Sequence, residues 1–222
     1  SAELNSSNIK GKNPFADKRV RLAMYHALDM EAIKDKVMRG QSFPAGIITA
    51  PGINGHTPER DQRLSYDPEM SKKLLAEAGY PDGFELTLDC PNDRYINDEA
   101  ICVAAIGMFA KIGVTVNLDA KTKSQHFSEV KEGDANGMTS DMYMLGWGVP
   151  TFDSHYVYSY LFDSAGSWNK VNFSNARVDE LVAAMGVETD LEKRNAMIAE
   201  AWDITQDDVT YLPLHHQVVN QA

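Results

Sequence analysis

The chain reads as a mixed α/β domain, and three observations carry that reading. Strand-like and helix-like stretches alternate along its 222 residues, the pattern of a sheet covered by helices. Residues 84–89, 97–112 and 114–118 make a strand–helix–strand unit. If its strands are parallel neighbours, the crossover is right-handed. No internal repeat or low-complexity segment interrupts the pattern, and the length suits one large domain or two small ones.

The elements follow in order. Asp17 caps a helix that carries Val20, Ala23, Met24 and Ala27 on one face. Asp29 opens a second helix through Ile33 and Val37, ended by Gly40. Residues 41–62 are rich in Gly and Pro and read as a long loop. In YDPEMSKKLLAEAGYPDGF, Asp67 stands at the N-cap and Pro68 at the first helical position, where its missing N–H costs nothing. Gly79 follows the last turn and suits a left-handed conformation. The helix over 97–112 ends at Gly113, and Ser124 opens a short helix to Glu132. Residues 141–145 read as a strand that runs into the turn GWG. Thr151 or Asp153 caps a helix through Tyr156 and Tyr160. Asn175 caps NARVDELVAAMG, Asp190 precedes LEKRNAMIAEAWDITQDD, and TYLPLHHQVVNQ closes the chain as a strand. No flexible interdomain linker stands out.

Composition excludes several function classes. The formal net charge is −11, from 32 acidic against 21 basic side chains, and there is no basic run. Such a surface repels phosphate backbones and anionic membranes, so no nucleic acid is expected as a partner. No apolar stretch reaches the ~20 residues that span a bilayer, and the first residues hold no hydrophobic signal core. Cys90 and Cys102 form no CxxC pair. Two buried thiols are the plainer expectation, with a bond between them left open. Of the six histidines only His215 and His216 are neighbours. On a strand they point to opposite faces, so no metal site is expected from them. HExxH, GxSxG and phosphate-binding glycine loops are absent. Gly146-Trp147-Gly148 is too short for a dinucleotide fingerprint, so no cofactor is expected, and no carboxylate pair stands out as catalytic.

The segment GWGVPTFDSHY, residues 146–156, carries the functional question. It leaves a bulky indole at the carboxyl end of a strand, where α/β sheets present ligands. Glycines on both sides leave the backbone bare for close approach. Free N–H groups at the following helix start favour an acceptor or anion. A tight turn with Trp147 packed in the core fits the same residues.

Several strings together resemble family 5 of the extracellular solute-binding proteins, the dipeptide-, oligopeptide- and nickel-binding components of ABC importers. They are NPFADKRVRLAMYHALDMEAI, YDPEMSKKLLAEAGYPDGFEL, FAKIGVTVNL, the GWG turn, and NFSNARVDELVAAMGVETDLEKRNAMIAEAWDITQDDVTYLPL. They run in family order over nearly the whole chain. The resemblance implies a type II periplasmic-binding-protein fold, a Venus flytrap whose two lobes close on a ligand. It implies that residues 1–222 are the C-terminal lobe alone, resembling domain 3 of dipeptide-binding proteins. The N-terminal lobe and the final return segment are then absent from this chain. It also implies periplasmic or extracellular placement, with or without a lipid anchor. The partners are then a small-molecule or peptide ligand, the N-terminal lobe and the permease subunits of the importer.

By the same resemblance Trp147 lines the cleft, flanked by Gly146 and Gly148. Arg94, in CPNDRYIND, stands where dipeptide-binding members meet the peptide carboxylate, a task that suits the guanidinium fork. Those members carry an aspartate three residues after the tryptophan to hold the ligand's amine, and here Pro150 stands there. Asp153 is a substitute that also has an N-cap duty, and His155 beside the turn suits non-peptide solutes such as opines, oligosaccharides or metal chelates. The expectation is solute capture without catalysis. A small hydrolase built on acidic residues near the turn, and a protein-interaction module with an acidic face, are the rivals.

Overall fold

The computed structural model describes residues 13–132 and 141–218. The chain folds as two compact units, each discontinuous in sequence. The first takes residues 1–44, 64–146 and 217–222, and the second takes 45–63 and 147–216.

The first unit begins with α1 (Lys18–His26), whose first turn is capped by Asp17 through the N–H of Arg19. Next comes α2 (Met30–Ala32), opened by Asp29, which widens into a π-helical turn at Ile33–Val37. Within the expected loop lies a short strand, β1 (Ser42–Pro44). Helix α3 (Pro68–Glu77) has Asp67 at its N-cap, accepting from the N–H of Met70. Gly40, Gly79 and Gly113 all take the positive φ that ends these helices. Strand β2 (Glu85–Pro91), helix α4 (Asp98–Ala110) and strand β3 (Thr115–Lys121) form the anticipated unit. β2 and β3 pair in parallel, from Glu85 opposite Thr115 to Pro91 opposite Lys121. Then come α5 (Lys123–Glu132) and β4 (Met142–Tyr143), which joins the other edge of β2 in parallel. The expected strand over 141–145 shrinks to those two residues. Backbone bonds to β2 still run from Asp141 N to the Thr87 carbonyl and from Met144 N to the Asp89 carbonyl, and the Asp141 carboxylate also accepts from the N–H of Thr87.

Helix α4 packs on β2 and β3, and α1 on α3. The alternation of β2 explains its place: Leu86, Leu88 and Cys90 are buried, as are Ile101 and Phe109 on α4. Each such side chain contributes about 1.5–3 kcal/mol. A group of charged side chains lies deep in this layer. Asp89, buried in β2, meets His126 Nδ1 at 2.7 Å and Lys121 Nζ at 3.3 Å, and Lys121 also reaches Asp119 and Glu129. Burial acts to lower the Lys121 pKa, but the carboxylates of Asp119, Glu129 and Asp89 outweigh it and hold the ammonium above its ordinary range.

The two cysteines are not free thiols. Cys90 at the end of β2 is bonded to Cys102 on α4, with Cα atoms 6.7 Å apart. Packing the helix across the strand sets the two side chains face to face, a consequence of tertiary structure that sequence spacing does not carry.

The second unit contains α6 (Ser154–Val157), which continues as a π-helical turn at Tyr158–Phe162, then α7 (Ala176–Met185) and α8 (Leu191–Asp208). Asn175 and Asp190 cap α7 and α8 as expected. Its core is aromatic. Tyr158, Phe162 and Trp202 are buried, and Phe162 also meets Phe173 and Tyr211 edge-on. The Tyr158 hydroxyl is satisfied by Thr205 at 3.2 Å. The closing strand is reduced to β5 (His215–Gln217). Its expected continuation past residue 218 lies outside the described residues. No described helix is long and apolar enough to cross a membrane.

Candidate functional site

The segment after β4 divides its duties. Gly146 carries a structural constraint: a Cβ there would stand 2.6 Å from Cε1 of Tyr95. The Tyr95 hydroxyl donates to the Gly146 carbonyl at 3.2 Å. Gly148 is different, because a Cβ there would meet nothing within 4 Å. It is exposed.

Tyr95 belongs to the loop that carries Arg94, so the structure links that loop to Gly146. The loop is held at several points. Asp98, buried at the start of α4, accepts from the backbone N–H groups of Arg94 and Tyr95 through Oδ2 and from Glu99 through Oδ1. The Cys90–Cys102 bond closes the loop at its base. Asn97 sits in the left-handed region, with φ 57°, at the turn into α4. Arg94 itself is exposed. Its guanidinium lies 5.0 Å from the Tyr95 ring centroid and 6.0 Å from that of Phe127. Among the described residues it pairs with no carboxylate. A rigidly based loop thus presents an arginine with its fork unspent.

In the second unit, Trp147 is half-buried against Tyr156, Tyr160 and Trp168, with ring centroids 5.8–5.9 Å away. Tyr156 and Tyr160 are themselves 4.6 Å apart. Such offset pairs add about 0.5–1.5 kcal/mol each beyond burial. The indole Nε1 is buried and has no acceptor among the described residues. Buried polar groups are nearly always satisfied, so an orphan donor marks a place where an acceptor is missing.

The turn between Trp147 and α6 is pinned from the loop over 45–63. Asn54 accepts from Ser154 N and donates to the Phe152 carbonyl, both at 3.0 Å. Phe152 takes a positive φ of 54° and is 70 % exposed. A bulky residue in that conformation is strained, and such strain gathers at functional sites. Composition gave no signal for Phe152.

Asp153 has the cap duty that the sequence assigned to it, and more. Its Oδ1 accepts from His155 N at 2.8 Å and Arg194 Nη2 at 2.9 Å. Its Oδ2 accepts from Asn54 Nδ2 at 2.9 Å and from Arg194 Nη1. Burial acts to raise the Asp153 pKa, but Arg194, Asn54 and the His155 N–H outweigh it and hold the carboxyl below its ordinary value. The carboxylate is an anion with its acceptor positions filled, so an incoming amine would have to displace a partner. His155 points back into the fold, with Nε2 3.1 Å from the Val182 carbonyl and 3.2 Å from Ser159 Oγ.

Sequence reasoning missed a second cluster. His56, Asp61 and His216 converge within the second unit, with one ligand-capable atom from each lying within 4.8 Å of the others. His56 and Asp61 lay in the stretch read only as loop. His216 was judged against its neighbour His215 rather than against residues over a hundred positions away.

The comparisons with known proteins agree on one family. The family model for bacterial extracellular solute-binding proteins, family 5 middle region, matches residues 2–169. Glutathione-binding protein GsiB of Salmonella typhimurium is 29% identical over 213 residues, covering 94% of this chain and 41% of the relative. Heme-binding protein A of Haemophilus influenzae is 33% identical over 213 residues, covering 93% of this chain and 38% of the relative. The chain thus spans about two fifths of the length of these curated relatives. Among solved structures, HbpA2 from Haemophilus parasuis superimposes with a TM-score of 0.83 at 25% identity, covering 93% of this chain and 40% of that one. The ABC transporter-associated periplasmic binding protein DppA from Helicobacter pylori, in complex with peptide STSA, gives 0.81 at 23% identity, covering 96% and 40%. These relatives are binding proteins, not enzymes, and the mixed α/β architecture is that of periplasmic binding proteins. A match over most of the chain, on a shared fold, places this protein in family 5 of the bacterial extracellular solute-binding proteins.

Proposed function

We propose that this chain supplies one lobe of a solute-capture protein serving a bacterial ABC importer, outside the cytoplasmic membrane, and that it takes a carboxylate-bearing small solute. A peptide is the first candidate. The orphan indole N–H of Trp147 carries the proposal. Leaving such a donor buried and unmet costs about 1–3 kcal/mol, a cost that a ligand acceptor relieves. Gly148 keeps the adjoining backbone open to the same ligand. Gly146 fixes the turn through Tyr95. Within the first unit, and as a separate observation, Arg94 offers an unspent guanidinium of the kind that binds a carboxylate. The disulfide supports an oxidising compartment.

Pro150 and the saturated Asp153 favour ligands that are not held by a single free amine. On this reading Asp153 and His155 shape the turn and do not grip the solute. A non-peptide ligand is the second reading, supported by the variety among the relatives, whose names specify glutathione and heme.

Function comes from closure of the lobes, and a ligand favours the closed state only by its differential affinity for it. The test is native mass spectrometry of the full-length protein purified from its host, followed by titration of the carried ligand. A co-purified solute bearing a carboxylate supports the reading. Arg94→Gln and Trp147→Phe should then each weaken its binding by about tenfold, one hydrogen bond's worth. A ligand without a carboxylate, or affinities unchanged in both variants, overturns it.

A further inference from the structure

Away from the Trp147 turn, the second unit gathers two imidazoles around one carboxylate. His56 Nε2 and His216 Nε2 each lie 3.0 Å from Asp61 Oδ2. The other oxygen, Oδ1, is held by the backbone N–H groups of Gly46 at 2.8 Å and Ile47 at 3.2 Å. The carboxylate is therefore clamped on one side by main chain and presents the other side to the rings. All three side chains are shielded, with relative exposures of 11% for His56, 13% for Asp61 and 10% for His216. The rings do not stack; their planes are inclined by 71° with centroids 6.3 Å apart.

We infer that His56, Asp61 and His216 form a binding site for a borderline divalent transition-metal ion, Zn²⁺ foremost. Two imidazole nitrogens and one carboxylate oxygen are the donor types that Zn²⁺ selects, and three protein ligands leave the fourth position to water. Tetrahedral bonds of about 2.1 Å set ligand atoms about 3.4 Å apart. Here the separations run from 3.0 Å for each His–Asp pair to no more than 4.8 Å, so side-chain adjustments alone bring the three into register. The backbone bonds to Oδ1 are the outer-shell support that orients a ligating carboxylate. A carboxylate only accepts, so without the ion each ring presents an N–H at Nε2 to Asp61. With the ion, both protons move to Nδ1 and the Nε2 lone pairs turn to the metal. Two neutral imidazoles and one carboxylate leave the bound divalent ion with a net charge of +1. The ligands come from the loop over 45–63 and from β5, so the ion ties two segments far apart in sequence and stabilises the second unit by mass action.

The test uses the 222-residue chain without a polyhistidine tag, stripped of metal and titrated calorimetrically with zinc chloride. The expected result is one ion per chain with micromolar or tighter affinity, and a melting temperature that rises with zinc and returns with chelator. His56→Ala and His216→Ala should each weaken uptake by at least about tenfold. His215→Ala should leave it unchanged, which separates this trio from a chance pair of neighbouring histidines. Cobalt(II) gives a second readout on the unaltered chain, independent of whether the variants fold: visible d–d bands of a low-coordinate nitrogen–oxygen site. No saturable zinc uptake, no such bands, or uptake that survives loss of both His56 and His216 overturns the inference.

Discussion

Asp153 accepts hydrogen bonds from His155, Asn54 and Arg194 at once. Removing it by Asp153→Ala takes away a helix cap and a half-buried ion pair. The expected loss is about 2 kcal/mol, or about 4–8 °C in melting temperature for a chain of this size. The pH dependence follows from the lowered pKa. A carboxyl whose folded pKa lies below its unfolded value of 3.8 contributes fully above that value and loses its contribution as pH falls through the folded one. The gap in melting temperature between the wild type and Asp153→Asn should therefore be wide at neutral pH and narrow below pH 3.8. A gap that stays constant down to strong acid would mean that Asp153 carries no such linkage. Gly146 makes a second case at this scale. Gly146→Ala drives a methyl into the Tyr95 ring and should cost about 1–3 kcal/mol. In a Tyr95→Ala background that cost should shrink, which a double-mutant cycle measures. Sequence showed the cap duty of Asp153, because helix starts are local. It could not show Arg194, which lies 41 positions away.

At the level of elements, the readable ones were those that local chemistry determines. Caps at Asp17, Asp67, Asn175 and Asp190 marked the starts of α1, α3, α7 and α8, and Gly79 marked the end of α3. The short strands β1, β4 and β5 were misjudged in extent or missed, because two or three residues hold no period and exist only through their pairing. The disulfide fell between these cases: both cysteines were visible, but the bond depends on how α4 lies across β2. It closes a loop of sequence separation 12, which chain-entropy reasoning values at about 3 kcal/mol. The Cys90→Ala, Cys102→Ala double variant should melt about 6–12 °C lower. Amide exchange should quicken over the Arg94 loop more than over α7 or α8. Equal acceleration everywhere would show that the bond does not stake that loop.

For the whole molecule, the family was legible because its marks run in order along nearly the full chain, and order is a stronger signal than any one motif. The ligand was not legible, since relatives that share those marks carry names specifying solutes as different as glutathione and heme. That sets a further expectation. If the chain is one lobe, as proposed above, it should by itself bind the solute carried by the full-length protein at about millimolar affinity or more weakly, for want of enclosure by a second lobe. A clean micromolar isotherm from the chain alone would contradict the two-lobe reading.

The discontinuity of the second unit has a consequence for how the protein is made. Asp61 is synthesised 155 residues before His216, and Asn54 is synthesised 99 residues before Asp153. At about 5–20 residues per second, the loop over 45–63 waits about 10–30 seconds for its last partner. During that interval Asp61 has only Gly46, Ile47 and His56 of its own loop, and the backbone of Asn54 is left to water. The first unit closes its sheet at β4 in the meantime. A variant that slows the folding of β2 and β3 should lower the yield of both units together.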